Sequence, residues 1–166
     1  MNTEMGEYVV GAYLQLKLRC DFIGYNTRPP EKGLAGLAEI DVVGLNFMDH
    51  TAYLCEVTTH LGGLLYGSSY EYSAKKIREK YERLQYYAKN YLHEFQIIKF
   101  IFWSPRVPKG RLTIMLDEIE KIGLEMVINE KYGKCVEYLR SEARKTTRDI
   151  GNPFFRALQI LEHVRE

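Results

Sequence analysis

Residues 39–58 read Glu39-Ile-Asp-Val-Val-Gly-Leu-Asn-Phe-Met-Asp-His-Thr-Ala-Tyr-Leu-Cys-Glu-Val-Thr58. Two runs rich in β-branched and aromatic residues flank a polar segment, the pattern of a β-hairpin. With Asn46 opposite Thr51, the register places Asp41 opposite Glu56. Directly opposed residues carry their Cβ atoms roughly 5 Å apart on one face. Alternation adds Glu39 and Thr58 to that face and turns Ile40, Val42, Cys55 and Val57 to the other, which is apolar and therefore covered. Two carboxylates so close raise the pKa of one of them unless a cation lies between. A hard divalent ion satisfies this. An ion pair with a nearby Arg or Lys does so too, and a slipped register would separate the acids; spacing alone leaves these alternatives open.

Outward from the hairpin, residues 4–18 have helical periodicity through Tyr8, Val9, Ala12, Tyr13 and Leu16. A short extended segment at 22–25 follows, then a loop with Arg28-Pro29-Pro30 and Gly33, where the prolines exclude helix. Residues 69–92 form the clearest helix, with Tyr70, Ala74, Ile77, Tyr81, Leu84, Ala88 and Tyr91 on one apolar stripe. Lys75, Lys76, Glu79, Lys80, Glu82 and Arg83 lie off that stripe and read as solvated. A strand at 95–103, a helix at 111–122, a strand at 124–128 and a helix at 130–144 come next. Asn152-Pro153 supplies an N-cap and a first-turn proline for a last helix ending near Val164. The predicted order is αβββαβαβαα, an α/β fold with a mixed central sheet flanked by helices.

The 166 residues suit one domain, read as a core over 1–128 with a helical extension over 129–166. Composition, 46% apolar and 27% charged, excludes a disordered chain, collagen and a disulfide scaffold. Cys20, Cys55 and Cys135 are too widely spaced for a zinc site or bridge framework and read as reduced thiols. With no signal-like start and no long apolar run, a cytoplasmic protein with no membrane association is expected. Residues 1–60 carry 4 basic and 8 acidic side chains, whereas 61–166 carry 19 and 14. An acid-rich half joined to a basic half suits a cation site within a phosphate-attracting field, and also suits ordinary solvated charge.

These motifs, in order, resemble the PD-(D/E)xK nuclease superfamily, and within it most of all the small YraN-like endonucleases and the archaeal Holliday-junction resolvases. Gly6-Glu7 opens the first helix and Tyr13-Leu14 follows. Asn26-Thr27-Arg28 follows the first strand, and Ala38-Glu39-Ile40-Asp41 carries the metal aspartate. Glu56-Val57-Thr58 stands where the family has Glu-Val-Lys, and Ala88, Tyr91 and Leu92 match its later Ala-x-x-Tyr-Leu. The resemblance spans residues 6–103 and leaves 104–166 unaccounted for. It implies a restriction-endonuclease-like core and a Mg²⁺-dependent DNA endonuclease or junction-resolving nuclease, with Mn²⁺ as a substitute ion. Asp41 and Glu56 would ligate the ion, with the Val57 carbonyl a further ligand. Glu7 would stand near it, or serve only as a helix-start acid favoured by the macrodipole.

Thr58 replaces the family's lysine, which would orient the attacking water. A residue of another type at this position is compatible with activity in the superfamily. Alternatively Lys99, Lys75 or Lys76 reaches the site, with His60 as a partial substitute, or catalysis has lapsed and a module binding nucleic acid or protein remains. The candidate catalytic set is therefore Glu7, Asp41, Glu56 and Thr58. Candidate DNA contacts are Arg28, Lys75, Lys76, Arg106 and Lys109, with the basic stretch 140–148 as a further backbone contact. Tyr66, Tyr72 and Tyr86 are candidates for base stacking; uncovered tyrosines and the C-terminal helices are candidates for a homodimer or heteromeric contact.

Overall fold

The structure, a computed structural model, describes residues 3–29, 39–63, 66–67 and 69–164. Pro30 and Gly33, expected in the loop before the hairpin, and Ala38, expected at the head of its first strand, lie outside the described residues. The elements are α1 (Met5–Leu16), β1 (Phe22–Thr27), β2 (Ile40–Asn46), β3 (Thr51–Val57), α2 (Tyr70–Tyr91), β4 (Ile97–Ser104), α3 (Arg111–Lys121), β5 (Leu124–Ile128), α4 (Glu130–Lys145) and α5 (Pro153–His163). This is the order the sequence predicts.

The five strands lie in the sheet in chain order. β1–β2–β3 is an antiparallel meander, and β3, β4 and β5 run parallel to one another. The hairpin register has Asn46 opposite Thr51 and Val42 opposite Cys55, as expected from a symmetric turn. A parallel pair needs a crossover, and α2 and α3 supply the two. Their starts are fixed locally. Ser69 Oγ accepts the Tyr72 N–H at 3.1 Å at the head of α2, and Asn152 Oδ1 accepts the Phe155 N–H at 3.0 Å at the head of α5.

Helices cover both faces. Ile77, Leu84, Leu112, Leu116 and Ile119 from α2 and α3 pack with Val43, Leu54 and Phe102 on one side. On the other, Val10 and Leu14 of α1, Leu139 of α4 and Phe155 of α5 pack with Val42, Cys55, Ile101 and Trp103. Ile40 departs from the expected alternation. It packs in the α2–α3 cluster, apart from Val42 and Cys55, because the β1 partner strand is interrupted beside it: Asn26 has a positive φ of 50° and drops out of the β1–β2 pairing. Tyr70, expected on the buried stripe of α2, is exposed at that helix's first residue.

The basic stretch near residue 140 has a structural use. Arg140 and Arg144 of α4 hold the carboxylate of Glu162 on α5 at 2.9 and 2.6 Å, tying the two helices together. α1 meets the sheet without clearance at two glycines. A Cβ on Gly6 would overlap the Thr59 side chain, and one on Gly11 the Tyr25 phenol. No helix among the described residues is long and apolar enough to cross a membrane.

Candidate active site

The carboxylates converge where β3 ends. Asp41 is the second residue of β2, and its Oδ2 accepts the Val57 N–H at 2.7 Å, so a side chain replaces the ladder bond that the strand would otherwise make. The register carries Glu56 to the opposite position on the same face. Glu56 is 2% exposed, and the two carboxyl groups come within hydrogen-bonding reach of each other. From α1, Glu7 lies close enough for the Asp41 charge to act on it. Its Oε2 also accepts the Glu4 N–H at 3.2 Å and Asn26 Nδ2 at 3.1 Å. Both readings of Glu7 thus describe the same side chain, one closing the helix start and one facing the site.

The positive charge comes from α2. Lys80 places its ammonium on Glu56 Oε2 and also feels Asp41. This corrects the expectation that Lys80 is solvated: its side chain is 23% exposed. It also replaces the lysines proposed from sequence. Lys99 shares the sheet face of Ile101 and Trp103, opposite to Glu56, and cannot reach. Lys75 and Lys76 turn outward to Glu79, at 4.0 and 2.8 Å. Thr58 is buried; its N–H continues the β3–β4 ladder to the Trp103 carbonyl at 2.9 Å, and its hydroxyl meets the Tyr66 phenol. His60 is exposed in a turn closed by the Gly63 N–H on its carbonyl.

Two residues join that sequence reasoning did not assign to the centre. Tyr66, expected as a stacking surface, brings its phenol into the field of Lys80, Glu56 and Asp41. Arg83, one turn beyond Lys80, acts on Glu56 through its charge, and its buried Nε has no hydrogen-bond partner among the described residues. Lys80 carried a readable signal, since Ile77 and Leu84 sit three residues before it and four after it, which puts it on the border of the buried stripe. Tyr66 lies in a loop with no periodicity and carried none.

Burial dominates the electrostatics. It pushes Asp41 above the usual carboxylate range despite Lys80 and the Val57 N–H, and it lifts Glu7, with Asp41 adding to the rise. Glu56 goes up to about 7, through burial first and then the Asp41 charge, against the pull of Lys80 and Arg83. Burial draws Lys80 down, but Glu56, Asp41 and Tyr66 together hold it above its ordinary value. Glu56 therefore binds a proton in the folded chain up to about pH 7 and in the unfolded chain only up to its ordinary value of 4.5. Between those values folding takes up a proton, so this group's contribution to stability falls as pH rises and is level above about 7. Denaturant titrations across that interval should show the slope in the wild type and lose it in Glu56→Gln.

No family model, curated protein or solved structure matches the chain. The reading of the site therefore rests on its own geometry. A group of three or more His, Cys, Asp or Glu ligands is absent among the described residues. Mg²⁺ is typically held by one or two carboxylates together with substrate phosphate and water, and Asp41 and Glu56 are the residues that could hold such an ion. The two acids already share the space in which a proton or a cation stabilises them.

The other candidate residues surround this end of the sheet. Arg28 forks onto Glu39, with Nε at 2.7 Å from Oε1, so Glu39 is neutralised beside the centre without joining it. Arg106 donates to the Leu61 carbonyl at 3.3 Å, linking the loops that follow β3 and β4. Lys109 is 82% exposed and 4.0 Å from Glu130. A cavity of about 460 Å³ lies on the opposite face, between α1, α4 and the sheet, lined by Tyr13, Trp103, Lys99 and Glu125 among others. Its lining has no pair of converging acids.

Proposed function

We propose that the chain is a Mg²⁺-dependent DNA endonuclease, or junction-resolving nuclease, of the restriction-endonuclease-like class, hydrolysing phosphodiesters with water. The observation that carries the reading is the trio of buried Glu56 and half-buried Asp41 and Lys80 at the end of β3. Two acids and a lysine are the side chains this chemistry uses, and α2 supplies the lysine that position 58 lacks.

Asp41 and Glu56 would hold the ion, and Glu7 would add negative charge behind them. A divalent ion bound there supplies activation of water and neutralisation of charge on the phosphate. Lys80 is poised to orient the attacking water and to stabilise the developing negative charge. The Tyr66 phenol, hydrogen-bonded to Thr58, lies in the field of Lys80 and would help to hold its ammonium in place. Arg28, Arg106 and Lys109 surround the same end of the sheet and would take the DNA backbone. Three unbridged cysteines support a reducing, cytoplasmic setting.

The purified protein should cleave linear, circular, flapped or four-way DNA with Mg²⁺ or Mn²⁺ and stop on chelation. Inactivity on all four with both ions would overturn this reading. Lys80 itself favours a second one: its ammonium neutralises Glu56 without any ion, as in a catalytically lapsed module that binds nucleic acid or a protein partner. That reading expects no calorimetric Mg²⁺ signal and DNA binding indifferent to chelators.

A further inference from the structure

Resting on the nuclease reading, we propose that the groove bounded by Tyr66, Gly67, Tyr72 and Lys76 is a subsite for one unpaired nucleotide beside the reacting phosphate. The substrate class that follows is DNA with a single-stranded or flapped strand at the cleavage point, in preference to continuous duplex.

The groove has a volume of about 420 Å³ and connects to the carboxylates through Tyr66. Tyr66 is the residue common to both: it lines the groove, and its phenol lies among Thr58, Lys80, Glu56 and Asp41. It is held in place by α2, since the Tyr66 N–H donates to Ser73 Oγ at 2.8 Å. Gly67 has φ of +64°, and a Cβ there would approach the Tyr72 ring to 2.8 Å, so the loop backbone lies directly against that ring. Tyr72 is nonetheless 45% exposed, an aromatic surface kept in solvent at the edge of a charged site. The Lys76 ammonium stands 5.5 Å from its ring centroid. Glu79 also holds Lys76 but is itself surrounded by Lys75, Lys76 and Arg83, so this flank of α2 is net positive.

An aromatic face bearing a cation one helical turn from a catalytic lysine matches a nucleotide, with the base on Tyr72 and its phosphate drawing Lys76 off the ring. Stacking of this kind is tolerant of base identity. Within duplex both faces of a base are covered by its neighbours, so only an unpaired or extruded base can enter.

The test is binding of two DNAs to the full chain in a chelator, where turnover cannot occur. One is a flapped duplex with 2-aminopurine at the first unpaired position, and the other is the same sequence fully paired. The expected result is tighter binding of the flap with quenched 2-aminopurine fluorescence. Tyr72→Ala should weaken flap binding about 5- to 100-fold and relieve the quench, and Tyr72→Phe should retain both. Equal affinity for the two DNAs, no binding of either, or a Tyr72→Ala protein that still quenches would overturn the proposal. Quenching without Mg²⁺-dependent cleavage would keep the subsite and remove the nuclease reading. Cleavage with no preference for the flap would do the reverse.

Discussion

Replacing Asp41 with asparagine is expected to eliminate Mg²⁺- and Mn²⁺-dependent DNA cleavage while leaving thermal stability close to wild type. The asparagine Oδ1 can still accept the Val57 N–H that Asp41 Oδ2 accepts at 2.7 Å, so the end of the hairpin stays closed. The charge that would hold the ion is gone. Charge stabilisation by a bound ion supplies several kcal/mol of the barrier, so a loss of about 10³-fold or more follows. Isothermal calorimetry should show the Mg²⁺ signal vanish together with activity. Asp41→Ala separates the two roles of the residue: it also orphans a backbone donor, at a cost of about 1–3 kcal/mol in denaturant unfolding. A Asp41→Asn protein that cleaves at the wild-type rate would sink the proposed mechanism.

Lys80→Met is expected to lower the cleavage rate about 10²- to 10³-fold, the usual loss when one preorganised charge-stabilising donor is removed. At a pH above the Glu56 titration, Mg²⁺ affinity should change far less, because both acids are then ionised. The substitution deletes the attraction that restrains the rise of Glu56, so Glu56 holds its proton to still higher pH. The rate profile of the variant should accordingly move to more alkaline pH. Lys80→Arg retains the charge and should keep part of the activity. Full activity in Lys80→Met would return the question of the missing lysine to Thr58 and its neighbours.

The hairpin was legible because its turn is symmetric and its strands alternate. From those two regularities came the register and the meeting of Asp41 with Glu56, and the structure has both. The long amphipathic helix was legible from its apolar stripe, while the capping of its first turn by Ser69 is a finding of the structure. Lys80 was obscured because a helix shows the sequence reader two faces, whereas the protein also uses the border between them. A lysine on that border extends along apolar neighbours and delivers its charge inward. Tyr66 was obscured for a different reason. Its position depends on Ser73 capturing its backbone and on Gly67 letting the loop lie against Tyr72, contacts that no periodicity announces. Lys99 misled because distance along the chain says nothing about which side of the sheet a residue occupies. Counting alternation from Trp103 would have placed it with the α1–α4 layer.

The absence of a side chain at residue 6 sets how far the first helix can descend onto the sheet. A methyl group introduced there forces the opening turn and the Thr59 side chain apart, and where the turn yields the neighbouring Glu7 travels with it. The spacing between the third acid and the hairpin pair is thus governed by a residue that has no functional group of its own. Enlarging it step by step would tune the strength of the field behind Asp41 while the acids themselves stay chemically unaltered.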